Sequence, residues 1–506
     1  MHIAFLNPQG NFDPADSYWT AHPDFGGQLV YVKEVALALG RLGHRVDILT
    51  RRIIDPDWRG FEAPLDAYPG EPNVRIVRLP CGGDRFLRKE DLWPHLGAEQ
   101  SPEFNEGWAP HIAAFYASEG RQPDAVTAHY GDGGLAAALW LDRGGPPFTL
   151  TGHSLGAQKL DRLLEKGESL AELDAHYRFA RRIAAERLAM NHAARIITST
   201  RQERLEQYGH PAYHGAVDPA SERKFAVVPP GVNLRIFDAQ VSGPDDARIA
   251  AHVERMLARD IAAGRRGLPA VLCSSRLEPK KNHVGLAQAF ARNADLRAAA
   301  NLLIVVRGAE DIHSRAGLSA SEAAVLDEIV AICEKNGLWG QVSAFSLTSQ
   351  HALAAAYRHL SARRSVFALT ALYEPFGLAP LEAMAAGLPA AVTRSGGPSE
   401  SLYDAETNTG YGVLVDPTDP DDIAAGLLRL VGPDNEWDDF QRAGRQRVLD
   451  RYTWERTAEG YLAVLRNLTP PPAQTRLPIP AYFTHPTPEN DIGLAQLAGW
   501  QAGGAS

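Results

Sequence analysis

Two glutamates eight positions apart, Glu374 and Glu382, carry the strongest chemical signal in the chain. They lie in Tyr373-Glu374-Pro375-Phe376-Gly377-Leu378-Ala379-Pro380-Leu381-Glu382. The apolar run Val366–Thr370 before it predicts a strand, Pro375 and Gly377 a turn, and Ala379–Ala386 a helix. Backbone N–H groups at such a helix start, near Gly377 and Leu378, would face an anion. Glu374 is placed to accept hydrogen bonds from sugar hydroxyls, and Glu382 from the two hydroxyls of a ribose. Two carboxylates acting at one carbon would have to lie closer together, so the spacing suits a diphosphate-linked sugar. The bland alternative is a pair of solvated glutamates.

Other segments could serve the same ligand. After the first apolar run, Asp24-Phe25-Gly26-Gly27-Gln28 leads into a helix. Gly26 and Gly27 carry no Cβ to block a phosphate or sugar carbon, and Gln28 both donates and accepts. A diglycine before a helix is more often only a tight turn. In Ser275-Arg276-Leu277-Glu278-Pro279-Lys280-Lys281-Asn282-His283, Arg276 and Lys281 can meet a diphosphate. Negative charge grows on that group as it leaves, so fixed cations there favour the transition state. Ser395-Gly396-Gly397-Pro398 supplies another turn open to backbone approach.

A third cationic set consists of Lys159, Arg178, Arg181, Arg182 and Arg187 on helical sequence, with Lys89 on a loop. Arginine forks bind phosphate through two parallel bonds and lysine adds a point charge, so this ridge suits a phosphorylated acceptor. A solvated helix face pairing with Glu186 is the plain alternative. Gly152-His153-Ser154-Leu155-Gly156 fits the nucleophile elbow of serine hydrolases, with Ser154 as nucleophile. No following acid and histidine stand out to complete a triad. The competing reading has His153 and Ser154 touching sugar hydroxyls or the anomeric centre, and a structural histidine is a third.

These residues sit in an alternating pattern of short apolar runs and amphipathic stretches. The first series is Ile3–Leu6, Arg45–Leu49, Val74–Leu79, Ala125–Ala128, Phe148–Thr151, Ile196–Ser199 and Phe225–Val228. After Val228-Pro229-Pro230-Gly231-Val232-Asn233 a second begins: Ala270–Ser274, Asn301–Val306, Val342–Phe345, Val366–Thr370, Ala390–Thr393 and Gly412–Val415. The pattern predicts an α/β protein of two Rossmann-like, doubly wound domains facing a cleft, residues 1–232 and 233–445, with the cationic ridge suiting the first to a phosphorylated acceptor and Arg276 and Lys281 suiting the second to the nucleotide sugar. A helix over 446–468 is expected to cross back to the first domain, and the proline-rich 469–506 to lie extended over the surface or partly disordered. Residues 97–110 read as a polar insertion. Closure about Pro229–Asn233 and the final helix is expected.

Composition narrows the class. The chain has 506 residues, 45% of them hydrophobic, and a net charge of −10, which disfavours a nucleic-acid or acidic-membrane surface. Three widely spaced cysteines, Cys81, Cys273 and Cys333, fit neither a disulfide framework nor a metal site and suggest a reducing, cytoplasmic setting. No apolar stretch is long enough to span a bilayer.

Taken together, Asn7-Pro8-Gln9-Gly10, His22 to Gln28, His129-Tyr130-Gly131-Asp132-Gly133-Gly134, Gly152 to Gly156, Arg181-Arg182, Pro229 to Asn233, Arg276 with Lys280-Lys281-Asn282, and the glutamate pair resemble the retaining glycosyltransferases of family 4, of GT-B architecture. The likeness is greatest to their bacterial sucrose-phosphate synthase branch and extends to Leu468. It implies UDP-glucose as donor, fructose 6-phosphate as acceptor and sucrose 6-phosphate as product. It also implies that Gln28, Lys89, Asp132, Ser154, Lys159, Arg181 and Arg182 bind the acceptor, the basic members holding its phosphate. His153 would lie beside the anomeric carbon, with Arg276, Lys281 and Glu374 the other catalytic groups. Gly26, Gly27, Arg276, Lys281, Gly377, Leu378 and Glu382 would bind the donor. No metal or cofactor is required, magnesium being at most a stimulant, and a separate sucrose-phosphate phosphatase would act downstream. Sucrose synthase shares the glycine and glutamate motifs, and a mannosylfructose-phosphate synthase would keep the arginine doublet. A serine hydrolase and a non-catalytic sugar-phosphate sensor remain from other classes.

Overall fold

The computed structural model describes residues 1–19, 27–97, 107–306, 308 and 310–503, so Gly26 and most of the 97–110 insertion lie outside the described residues. The chain forms two compact units, one of Met1–Pro229 with Thr457–Ser506 and one of Pro230–Arg456.

The first unit is built on an eight-stranded sheet in the order β3-β4-β2-β1-β5-β6-β7-β8. Its strands are β1 (His2–Leu6), β2 (Arg45–Arg51), β3 (Leu65–Ala67), β4 (Val74–Leu79), β5 (Ala125–His129), β6 (Phe148–Thr151), β7 (Arg195–Thr198) and β8 (Phe225–Val227). Every pairing is parallel except β3 with β4. Central β1, registered Ile3 to Val46 on one side and to Ala125 on the other, is buried along its whole length, because helices cover both faces of such a sheet. That double burial is why its strands read as short continuous apolar runs. Edge strand β3 has exposed ends and no such run, and it was not expected.

The second unit holds a six-stranded parallel sheet in the order β11-β10-β9-β12-β13-β16. It comprises β9 (Ala270–Ser274), β10 (Asn301–Val305), β11 (Val342–Phe345), β12 (Val366–Leu369), β13 (Ala390–Thr393) and β16 (Val413–Val415). A short hairpin of β14 (Tyr403–Asp404) and β15 (Thr409–Gly410) stands apart. Alternate residues of β9 divide between two apolar clusters, Val271 and Cys273 in one and Ala270 and Leu272 in the other, as the strand period of two requires.

The C-terminal segment differs from its sequence-based expectation. It forms turns at Ala473–Thr475, Ala481–Phe483 and Pro488–Asn490 and a helix over Leu494–Gln501. Tyr482, Phe483, Ile492, Leu497 and Trp500 are buried in the first unit's core. The prolines suggested an extended chain because they exclude long regular elements, yet they are compatible with single turns. Full burial of each of Phe483, Ile492 and Leu497 contributes about 1.5–3 kcal/mol, enough to hold the segment down.

All three cysteines are buried and unpaired. Among the described residues no helix is long and apolar enough to cross a membrane, and no cluster of potential metal ligands occurs.

Within the second unit, Val232 N–H donates to the Tyr452 carbonyl, 2.7 Å, and a Cβ on Gly231 would lie 2.2 Å from the carbonyl carbon of Thr453. Two backbone segments therefore touch where only a glycine fits. Gly231→Ala is expected to lower unfolding stability by about 1–3 kcal/mol, the scale of forced overpacking, as read by urea denaturation.

Candidate active site

In the first unit the carboxyl ends of the central strands surround a cavity of about 190 Å³. Three helices deliver its polar wall: Tyr130–Asp142 follows β5, Gly156–Leu164 follows β6, and Phe179–His192 precedes β7. Asp132 comes from the first, Lys159 from the second with Ser154 just before it, and Arg182 from the third, while Lys89 reaches in from a 3-10 turn at Lys89–Asp91. Three cations thus share one small cavity in a protein of net charge −10.

Glu186 organises this wall. Only 1% exposed, it accepts from the Gly156 N–H at 2.9 and 3.0 Å, from Arg182 Nε at 2.9 Å and from the Tyr213 hydroxyl at 2.5 Å. One buried carboxylate therefore caps the helix bearing Lys159 and fixes the guanidinium of Arg182, whose other arm donates to the Ser154 carbonyl at 2.7 Å. Lys159 Nζ lies 3.9 Å above the Tyr177 ring, a cation–π contact that holds the ammonium without neutralising it. Opposite charge sits in Asp132, whose carboxyl is pushed up to about 7 by burial, against the pull of the Gly133 N–H and Arg182.

His153 occupies the left-handed region at φ 56° and accepts or donates through Nε2 to His129 Nδ1 at 2.9 Å. Burial brings it down to about 3, so its imidazole is neutral near pH 7 and can hydrogen-bond but not act as a cationic acid. Gln28 is buried at the start of the helix Gly27–Arg41, and a Cβ on Gly27 would meet nothing within 4 Å.

In the second unit the Glu374 turn is clamped by the Ser395–Pro398 turn. Glu374 N–H donates to the Ser395 carbonyl at 3.0 Å and Gly397 N–H to the Glu374 carbonyl at 2.9 Å. A Cβ on Gly396, at φ 103°, would sit 2.1 Å from the Glu374 carbonyl oxygen, so a glycine is required. Lys281 Nζ forms an ion pair with Glu374 Oε2 at 2.7 Å, both groups mostly buried. Arg276 is 74% exposed and pairs with Glu278 at 2.9 Å. Gly377 leads into the helix Leu378–Ala385, which carries Glu382, whose carboxyl burial pushes it up to about 8. A neutral carboxylic acid donates from one oxygen and accepts at the other, which suits two vicinal hydroxyls.

Residues 26–231 match the family described as Glycosyl transferase 4-like domain, and residues 259–447 that described as Glycosyl transferases group 1. A probable sucrose-phosphate synthase of Thermosipho melanesiensis is 42% identical over 92% of this chain and 96% of its own. The sucrose-phosphate synthase of Zea mays is 33% identical over 87% of this chain, which spans 45% of that longer protein. The solved sucrose-phosphate synthase of Thermosynechococcus elongatus superposes with a TM-score of 0.61 at 24% identity, covering 92% of this chain and 98% of that one. The chain belongs to the family 4 retaining glycosyltransferases, with the sucrose-phosphate synthases as its kin.

For a glycosyltransferase of this family, the structure sorts the residues expected from sequence. Lys89, Asp132, Ser154, Lys159 and Arg182 line one cavity. Arg181 does not join them. It forms a two-pronged ion pair with Asp491, 2.9 and 2.8 Å, and lies 4.4 Å over the Tyr482 ring. Consecutive helical residues point about 100° apart, and here that rotation takes Arg181 to Asp491 while Arg182 lines the cavity. The hydrolase alternative fails on backbone grounds as well. In a nucleophile elbow the serine itself takes the sharp turn, whereas here the left-handed residue is His153.

Some lining groups escaped the sequence reading. Gln9 and Tyr130 lie in motifs already noted, and Glu90 and Trp93 follow Lys89, yet neither their type nor spacing marks them as ligands. Asn282, quoted in a motif, was given no role of its own. Its side chain donates to the Thr370 and Pro417 carbonyls at 2.9 and 2.7 Å and caps the following helix through Gly285 N–H, fixing the loop that carries Lys281.

Asp132 yields a pH prediction. With its carboxyl near 7, it is protonated in acid and becomes a hydroxyl-accepting carboxylate as pH rises. Activity per acceptor, kcat/KM, should climb through about pH 7 and level off above it, and Asp132→Asn should flatten that limb. Loss of a charge-assisted hydrogen bond of about 1.5–3 kcal/mol predicts a decrease of about 10- to 150-fold at pH 8. A pH profile for the acceptor measures both.

Proposed function

We propose that the protein transfers glucose from UDP-glucose to fructose 6-phosphate with retention of configuration, giving sucrose 6-phosphate and UDP. The observation that carries the reading is the grouping of Lys89, Lys159 and Arg182 about one cavity with Asp132. Three fixed cations suit a phosphate dianion, and a carboxyl beside them suits the hydroxyls of the sugar bearing it. The names of the relatives at 42% and 33% identity support the same substrates.

Each unit has its part. In the second, Arg276 and Lys281 take the diphosphate, the start of the helix at Leu378 adds backbone N–H groups, and Glu382 binds the ribose. Lys281 and Glu374, paired at 2.7 Å in the free protein, exchange each other for substrate, the ammonium turning to phosphate and the carboxylate to glucosyl hydroxyls. In the first, the neutral His153 meets the glucosyl group and Gln28 meets the acceptor. With Nε2 of His153 engaged by His129, a sugar hydroxyl meets Nδ1.

Bond making and breaking then occur on one face of the glucose. The bond from its C1 to the β-phosphate oxygen breaks as the anomeric hydroxyl oxygen of the ketose forms the new bond to C1. The ketose proton passes to the departing phosphate oxygen, so no protein group is consumed. Charge that builds on the leaving diphosphate is met by Lys281 and Arg276, which act most strongly where water is excluded.

Replacing Lys281 by Met should lower kcat by about 10²- to 10³-fold, as for other preorganised transition-state donors, with a smaller change in donor KM. Glu374→Gln should also lower turnover, and unchanged turnover would remove it from the glucosyl site. The substrate reading is tested by a panel of UDP-, ADP- and GDP-sugars against fructose and fructose 6-phosphate. Release of UDP with fructose 6-phosphate well above that with fructose supports it. Equal rates with both ketoses point to a sucrose synthase, and preference for GDP-mannose to a mannosylfructose-phosphate synthase.

A further inference from the structure

Arg181 and the C-terminal segment share a feature that the transfer reaction leaves unexplained. Arg181 directly precedes Arg182 on the helix Phe179–His192, yet it is committed to Asp491 and Tyr482, more than 300 positions later in the chain. Farther along the helix, Asn191 Oδ1 accepts from the Leu477 N–H at 2.7 Å and Arg187 lies 5.3 Å from the Trp500 ring. The segment therefore grips this helix at both ends.

It also touches the other wall of the cavity. The turn Ala481–Phe483 packs on the turn Trp93–His95, and a Cβ on Gly97 would fall 2.6 Å from the Phe483 carbonyl oxygen. Trp93 lines the cavity beside Lys89. Phe483 is fully buried at this junction. One short stretch, Tyr482 to Asp491, thus braces both the helix that presents Arg182 and the turn Trp93–His95, which directly follows the turn that presents Lys89.

We infer that the C-terminal segment is a strap that sets the spacing of the acceptor-phosphate cations, with Arg181 as a positioning residue gripped by Asp491 and Tyr482 rather than a phosphate ligand. The inference rests on the proposed acceptor. Its physical basis is that a phosphate held by several cations is sensitive to their mutual distances, and Lys89 sits on a short turn with little regular structure to hold it. The Arg181–Asp491 pair is partly exposed, 20% and 40%, so it adds little to global stability, and its orientation of the helix face is the separable effect.

The test uses the full-length enzyme with Asp491→Asn and Asp491→Glu, reading steady-state kinetics, thermal unfolding and amide hydrogen exchange. Asp491→Asn should raise the KM for fructose 6-phosphate about three- to tenfold, a modest supporting-contact effect, while kcat, the KM for UDP-glucose and Tm stay close to wild type. Asp491→Glu, which keeps the charge, should restore most of the lost affinity. Exchange should quicken in residues 89–95 and 179–183. An unchanged acceptor KM, a joint rise of both KM values with a fall in Tm, or unaltered exchange in those segments overturns the strap. Should wild-type enzyme not use fructose 6-phosphate at all, the substrate reading fails, and the exchange measurement still decides the strap.

Discussion

A buried carboxylate bonded to a helix start, a guanidinium and a phenol at once is the contact on which the cationic cavity of the first unit depends. Glu186 accepts four hydrogen bonds on two oxygens, from the Gly156 N–H, Arg182 and Tyr213, so it ties together three separate segments behind the cavity. The arrangement answers an electrostatic difficulty. Cations meant for a phosphate repel one another and would disperse or find surface carboxylates in an acidic chain. A carboxylate behind Arg182 fixes it at low net charge while leaving the guanidinium arms directed by Ser154 and Glu186. Removal of Glu186 would strand buried donors, whose desolvation is far more costly than the bond lost. Lys159 is held differently, with its ammonium over the face of Tyr177.

The second unit presents the converse arrangement, a carboxylate and a cation held together as a mostly buried pair. Pairing Lys281 with Glu374 satisfies both in the absence of substrate, and the loop beneath them is fixed by Asn282 and by the turn at Gly396. Preorganisation of this sort stabilises charge developed in the reaction without rearrangement at the moment of transfer. Burial also keeps the Glu382 carboxyl largely neutral near pH 7, so it adds little negative charge to this part of the unit.

Much of this was legible in the residues because parallel strands buried on both faces leave short, continuous apolar runs. All seven runs expected in the first unit and all six in the second coincide with strands. What failed was information that travels across space. The exposed strand β3 carries no apolar signature. The Arg181-Arg182 doublet reads as one cationic patch until helical rotation sends one side chain into the cavity and the other to Asp491. Prolines after Leu468 signal the lack of long helices, but the aromatic residues among them, Tyr482, Phe483 and Trp500, were the overlooked sign of burial. Gln9, Tyr130 and Trp93 line the cavity from three separate segments, a relation that no local spacing encodes.

The central claim is that Lys89, Lys159 and Arg182 together hold the phosphate of the acceptor. A crystal structure of the enzyme with fructose 6-phosphate tests it most directly. The account predicts the phosphate within hydrogen-bonding distance of all three side chains, with sugar hydroxyls at Asp132. A ketose phosphate bound elsewhere, or lying in the cavity with its phosphate turned away from these cations, would contradict it.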